Sequence, residues 1–138
     1  MELNTKDNPF RFKRYRVVKS TIELLDNKEP DTEYSLAITP FGIVQEKEFE
    51  LKLDVSIKDK SNVYQVFVSM VGVFEFKEKI ENVTDYFKVN APAILFPYLR
   101  AYVSSLTSIS GVDTVIMPTI NTTPLKEELE KNIEYHKI

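Results

Sequence analysis

The sequence predicts an α+β domain with its strands first and its helices last, and three observations predict it. Over the first two-thirds, apolar residues alternate with the period of a strand. Over the last third they recur at helical spacing. One strand, moreover, is apolar on both sides, which requires cover on both faces of a sheet. At 138 residues the chain is read as one domain spanning 1–138, with 1–10 flexible and 136–138 frayed. Its hydrophobic fraction of 43% is enough for a core.

The first element is "RFKRYRVVKSTIELL", residues 11–25. Tyr15 and Val17 occupy odd positions but Ile22 and Leu24 even ones, so the strand slips parity near Val18 to Thr21, as a bulge would make it do. Its basic opening, Arg11, Lys13, Arg14 and Arg16 with Phe12 and Tyr15 between them, reads as a charged edge strand. A long apolar connection follows, "DNKEPDTEYSLAITPFGIVQEKE". It carries Pro30, Pro40 and Gly42 as breakers, and only "YSLAI" alternates like a short strand. In "FELKLDVSI", Phe49, Leu51, Leu53, Val55 and Ile57 share one face. "DKSN" at 59–62 has the turn chemistry to close a hairpin.

The next strand, "VYQVFVSMVGVFEF", puts Tyr64, Val66, Val68, Met70, Phe74 and Phe76 on one face, and Val63, Phe67, Val71 and Val73 on the other. A few helices cover one face of a sheet well, which leaves Phe67, Val71 and Val73 as candidates for subunit contact. Gly72 suggests a bulge or a close backbone approach. After "ENVTDYFKV", read as a short helix or irregular segment, Asn90 is placed to cap a helix with Pro92 in its first turn. Pro97 delays or bends that helix. Leu95, Leu99, Tyr102, Val103 and Leu106 continue it, and Gly111 ends it. A non-helical apolar link with Val115, Ile116, Met117 and Ile120 leads to a last helix opened by Thr123-Pro124, with Glu127 and Glu128 in its first turn.

Several functions find little support in these residues. Without cysteine there is no thiolate nucleophile, disulfide or Cys-based zinc site, a pattern that suits a reducing cytoplasm. The one histidine, His136, has no partner in the sequence, the carboxylates show no metal-ligand spacing, and three glycines make no phosphate loop. No enzyme activity, metal or cofactor is therefore expected. A net charge of −3 argues against nucleic acid, and no apolar run approaches a membrane span. The chain is expected to be soluble and unprocessed.

"NAPAILFPYLRAYVSSLTSISG", followed by the apolar link with "MPTIN" and a short final helix, resembles the SecB export-chaperone family. "ILFPYLRAYVSSL" is similar to the family pattern N-x-L-F-P-Y-x-R leading into its long helix, and "INTTPLKEEL" sits where the family has its asparagine-containing link. The order of strands ending in "GVFEF" agrees as well, so the resemblance covers roughly residues 12–135.

The resemblance implies a four-stranded antiparallel sheet with a long crossover connection and two C-terminal helices, assembled as a homotetrameric dimer of dimers. It implies a chaperone that holds unfolded or slowly folding polypeptides without nucleotide or cofactor. It assigns Phe96, Tyr98 and Tyr102 of the long helix to assembly interfaces. It also assigns a client groove to Tyr34, Leu36, Ile38, Phe41 and Ile43 of the crossover with Val115, Ile116, Met117 and Ile120 of the link. The family's translocation partner, the SecA ATPase, docks on an acidic area of the sheet. Here that area aligns with Ser20, Glu23, Leu24, Gln65 and Phe67, so weak or absent SecA binding is expected. Other members serve toxin–antitoxin systems, and a dedicated partner of that kind is the alternative to a general holding role.

Overall fold

The fold, described over residues 9–136 of a computed structural model, is a five-stranded sheet carrying both helices on one face. The elements run β1 Phe10–Leu24, β2 Tyr34–Gln45, β3 Glu48–Asp59, β4 Tyr64–Phe76, α1 Asp85–Ser108, α2 Leu125–Lys131 and β5 Ile133–His136, and the strands lie in the order β1-β4-β3-β2-β5. The α+β class and the antiparallel β1 to β4 follow the sequence expectation. A fifth strand is added, parallel to β2 with Gly42 opposite Ile133 and Gln45 opposite His136. His136 thus sits in a strand; Phe10 begins β1, and residues 1–8 and 137–138 lie outside the described residues.

The parity slip in β1 is real and is doubled. Register shifts fall between Phe12 and Arg14 and between Val17 and Lys19, so Phe10 and Phe12, then Tyr15 and Val17, then Ser20 and Ile22 take turns on the helix side. Gly72 is not bulged; it faces Tyr15 across the ladder. It permits a close approach, since a Cβ there would lie 3.0 Å from Leu95 and 3.2 Å from Phe12.

The connection before β3 is the main correction to the sequence reading. Tyr34 to Gln45 pair with β3 residue by residue without a break, so Pro40 and Gly42 lie inside a strand. Both are tolerated for positional reasons. Gly42 N–H bonds to Asn132 O on the β5 side, so even-numbered residues of β2 turn their backbone groups outward, and the N–H that Pro40 lacks would have pointed away from β3. A side chain at Gly42 would strike the buried Phe49.

Helix α1 also begins earlier than expected. Thr84 is its cap, its side chain accepting from Phe87 N at 3.2 Å, and Asn90 lies inside, donating from Nδ2 to Tyr86 O at 2.7 Å. Phe87 explains the early start. Its ring packs against those of Phe49, Phe10, Phe76 and Phe74, with centroids 4.8, 4.9, 4.9 and 5.3 Å away, so burying it requires the first helical turn to lie on the sheet. Pro92 and Pro97 are both within the helix, the first buried and the second exposed. The cap at the other end is Ile109, with left-handed Gly111 (φ 86°) two residues on.

Candidate functional site

The link between the helices runs back over the sheet from the C-terminal end of α1, and polar side chains of α1 hold it there. Arg100 donates from Nε to Met117 O at 2.7 Å and from Nη1 to Thr119 Oγ1 at 3.1 Å; Ser104 Oγ donates to Val115 O at 3.3 Å. Val115 N in turn donates to Thr107 Oγ1 at 2.8 Å. The sequence reading passed over these three residues. Their signal was a polar stripe at i, i+4 and i+7 on an apolar helix, which places all three on one face.

Pinned in this way, the link sorts its side chains. Val115 and Met117 point into the core, while Ile116 is 65% exposed and Ile120 is half-buried against the core. Ile116 borders a groove of about 370 Å³ with Phe96, Pro97, Arg100, Ala101, Ser104 and Thr119. At the open end of the sheet, Tyr34 and Leu24 with Val112 and Val115 line a cleft of about 670 Å³ whose rim includes Asp26, Asp31 and Asp113.

Strand β2 divides the remaining candidates between two faces, because side chains alternate along an unbulged strand. Leu36 and Ile38 pack against the core on the helix side. Phe41 and Ile43 lie on the helix-free side, in a hollow of about 210 Å³ with Val71, Lys52, Glu50 and Glu134. Lys52 Nζ stands 4.6 Å from the Phe41 ring centroid. Phe41 and Ile43 are therefore not brought together with Ile116 or Ile120, and the nine residues do not form one groove.

The interface candidates separate similarly. Phe67 and Val71 are half-buried on the helix-free face, and Val73, flanked by Arg14 and Glu50 in the register, is buried within the chain. Phe96 is only 5% exposed and belongs to the core, whereas Tyr98 is 41% exposed and packs on Tyr15 and Phe12 with centroids 4.5 and 5.5 Å away. Tyr102 is half-buried and its hydroxyl bonds to Ser20 Oγ at 3.1 Å.

The basic start of β1 is partly neutralised. Arg11 and Lys13 lie 3.0 and 3.3 Å from Glu75, and Lys13 is 3.0 Å from Glu48. Its hydrogen bonds to Glu48 and Glu75 raise the Lys13 pKa, and the Lys13 hydrogen bond followed by the Arg11 charge lowers that of Glu75. In the area expected to correspond to the acidic docking surface, Glu23 accepts from Gln65 Nε2 at 3.2 Å, and Lys19 Nζ lies 5.6 Å from the Phe67 ring centroid. Among the described residues no group of His, Asp and Glu is gathered to hold a metal ion, and no helix is long and apolar enough to cross a membrane.

Comparisons with known proteins agree with this architecture. A family model described as preprotein translocase subunit SecB matches residues 14–131. The protein-export protein SecB of Aromatoleum aromaticum is 29% identical over 102 residues, 70% of this chain and 64% of that protein. An uncharacterized protein of Methanocaldococcus jannaschii is 38% identical over 73 residues, 52% of this chain and 46% of that protein. The chain thus spans less than two thirds of the length of these curated relatives. Among solved structures, a SecB-like chaperone of Mycobacterium tuberculosis, in complex with a ChAD peptide from the HigA1 antitoxin, has a TM-score of 0.69 at 14% identity. That match covers 81% of this chain and 90% of the other, and it is a likeness of fold.

Proposed function

Since the chain belongs to the SecB family, whose model matches it from residue 14 to 131, we propose that it is a nucleotide-independent chaperone that holds unfolded or slowly folding polypeptides. It is neither an enzyme nor a nucleic-acid-binding protein, and it acts in the cytoplasm as a homotetramer. The observation that carries this reading is the apolar surface around the pinned link. Tyr34 is exposed in the cleft with Val112 and Val115, Ile116 is exposed in a separate groove against α1, and Leu36, Ile38 and Ile120 are half-buried against the core. Apolar burial has little directionality, so such a surface accepts many sequences.

Magnitudes decide what kind of client it takes. One well-buried apolar side chain contributes about 1.5 to 3 kcal/mol. Micromolar affinity needs about 8 kcal/mol after ordering costs of several more. Roughly five anchors must engage together, which favours long extended segments and disfavours folded proteins whose apolar residues are already buried. Phe41 and Ile43 would serve a long client only after it had wrapped around the sheet edge.

The test is suppression of aggregation of several unrelated denatured proteins without nucleotide, with client affinity measured for a Tyr34→Ser/Ile116→Ser double variant. Both side chains are exposed, so the fold should persist while affinity falls about tenfold; unchanged affinity would remove this surface from consideration. A dedicated role is the second reading, supported by the SecB-like fold relative that was solved with an antitoxin peptide. It predicts tight binding of one partner and no protection of the others. SecA is expected to bind weakly or not at all, since the aligned area pairs Glu23 with Gln65 and Lys19 with Phe67; submicromolar affinity by calorimetry would refute that.

A further inference from the structure

β1 carries five cations, and the structure divides them into two groups. Arg11 and Lys13 lie 3.0 and 3.3 Å from Glu75, and Lys13 is 3.0 Å from Glu48, so these two are neutralised within the chain. Arg14, Arg16 and Lys19 are exposed and make no ion pair among the described residues.

The register shifts decide where these three side chains point. Tyr15 and Val17, then Ser20 and Ile22, take the helix side, so Arg14, Arg16 and Lys19 share the helix-free face, paired with Val73, Val71 and Ser69 of β4. Without the shift between Val17 and Lys19, Lys19 would have fallen on the face opposite Arg14 and Arg16. Its Nζ lies 5.6 Å from the centroid of Phe67, which is on the helix-free face, in agreement with that placement. The partners in β4 are two residues apart, which sets the three cations at intervals of roughly 6.6 Å along the strand.

The adjoining row of β4 carries no charge. Val73 and Ser69 are buried, and Val71 and Phe67 are half-buried. Neither 14–21 of β1 nor 66–73 of β4 contains a carboxylate. The nearest acids of this face on β3, Glu50 and Asp54, lie two strands from β1, about 10 Å away, and Asp54 is 3.8 Å from Lys52. Charge protects an exposed edge on whichever face it stands. Three unpaired cations gathered by a bulge onto one face, beside accessible apolar side chains and in a chain of net charge −3, go beyond that need.

We propose that this strip, Arg14, Arg16 and Lys19 with Val71 and Phe67, docks an acidic segment of a partner protein. Closely spaced carboxylates of the segment pair with the three cations, and an apolar residue among them covers Val71 and Phe67. The apolar row favours a protein over a nucleic acid, as does the net negative charge of the chain. The strip lies across the sheet from the cleft at Tyr34 and the groove at Ile116, so its occupant leaves both open and the site is distinct from the holding surface. Single exposed ion pairs contribute little, so the three act together and the affinity falls with salt.

The test uses the full chain and a labelled synthetic peptide of alternating Glu and Val, read by fluorescence anisotropy at low and high salt. Two further peptides replace every Glu by Lys or every Val by Ser. The Glu–Val peptide should bind, and Arg14→Gln/Arg16→Gln/Lys19→Gln should weaken it about tenfold or more through the loss of three pairs. Lys28→Gln/Lys77→Gln/Lys79→Gln changes the net charge equally at exposed positions elsewhere and should leave binding unchanged. Both peptide replacements should weaken it, and melting temperatures of the two triple variants should match that of the unmodified chain, since all six side chains are exposed. No binding of the Glu–Val peptide, equal loss in the two triple variants, or displacement by a single-stranded oligonucleotide with no effect of the Val replacement would overturn the proposal. Phe67 and Val71 are also candidates for subunit contact, so a lower oligomer mass in Arg14→Gln/Arg16→Gln/Lys19→Gln would give the face to a second copy and overturn it too. Weaker protection of denatured proteins by that variant would assign the strip to clients and likewise overturn a separate docking site, while the holding role would stand.

Discussion

Asp59 closes the β3–β4 hairpin by gathering donors. Its Oδ1 accepts from Val63 N and Tyr64 N, both at 2.8 Å, and its Oδ2 from Asp31 N at 3.0 Å and Ser61 N at 3.3 Å. Burial by itself would raise its pKa, but the N–H groups of Asp31, Tyr64, Val63 and Ser61 outweigh it and hold the carboxyl below the usual value. Asp59→Asn would turn an amide NH₂ toward these donors and should lower the melting temperature by roughly 5 °C or more. The sign of the pH dependence follows. A carboxylate with a lowered folded pKa contributes stability above about pH 4, its unfolded value, and that contribution is lost as pH falls through the folded pKa. Glu75, lowered by Lys13 and then Arg11, adds to the same loss. Acid unfolding of wild type and Asp59→Asn should therefore converge at low pH, as a denaturant series would show. Gly42→Ala tests packing alone: its new methyl group meets Phe49 and Ile133 and should cost about 2 kcal/mol in chemical denaturation.

At the level of elements, the link between α1 and α2 has no regular structure of its own and depends on its anchors. Thr107, fully buried, accepts from Val115 N at 2.8 Å while donating to Val103 O at 2.9 Å. Thr107→Val keeps the shape but leaves the Val115 N–H buried without a partner, so it should cost about 1 to 3 kcal/mol. The effect should be local, with faster amide exchange across 112–120 and little change in β3 and β4. Uniform loss of protection would instead mean that the link and the sheet unfold as one unit. The ends of α1 and α2 are joined by ion pairs of Lys88 with Glu130 at 3.2 Å and Lys126 with Asp85 at 3.5 Å. These surface pairs contribute little singly, so α2 is held mainly by the buried Leu125 and Leu129.

For the whole molecule, the proposed homotetramer would use apolar side chains that this chain leaves accessible in one or both of two places. One is the ring cluster of Tyr15 and Tyr98 on Phe12 at the β1 edge; the other is the helix-free face around Phe67 and Val71. Light scattering is expected to give a tetramer at micromolar concentration. Tyr15→Glu/Tyr98→Glu should lower that mass by placing charge where the proposed assembly would bury it, and Phe67→Glu tests the helix-free face separately. A monomer mass for the unmodified chain would refute the assembly.

The sequence by itself determined the parts whose pattern is local. Alternation in "FELKLDVSI" and "VYQVFVSMVGVFEF" specified β3 and β4, the turn chemistry of Asp59 to Asn62 specified their hairpin, and the change of parity near Val18 to Thr21 pointed to one of the two register shifts of β1, the one between Val17 and Lys19. The run "ILFPYLR" pointed to the long helix and to the family. Tertiary structure decided the rest. Pro40 and Gly42 break strands in isolation, yet β2 is continuous because one faces an edge that needs no donor and the other faces a ring that leaves no room. "ENVTDYFKV" has weak helical signal, and α1 starts there because Phe87 finds four aromatic partners spread over β1, β3 and β4. Ile133 to His136 is too short to read as a strand until β2 offers an edge beside it. The proposed groove residues divided for the same reason: once β2 is a strand, neighbours in sequence point to opposite faces, and only pairing with β3 decides which face each side chain takes.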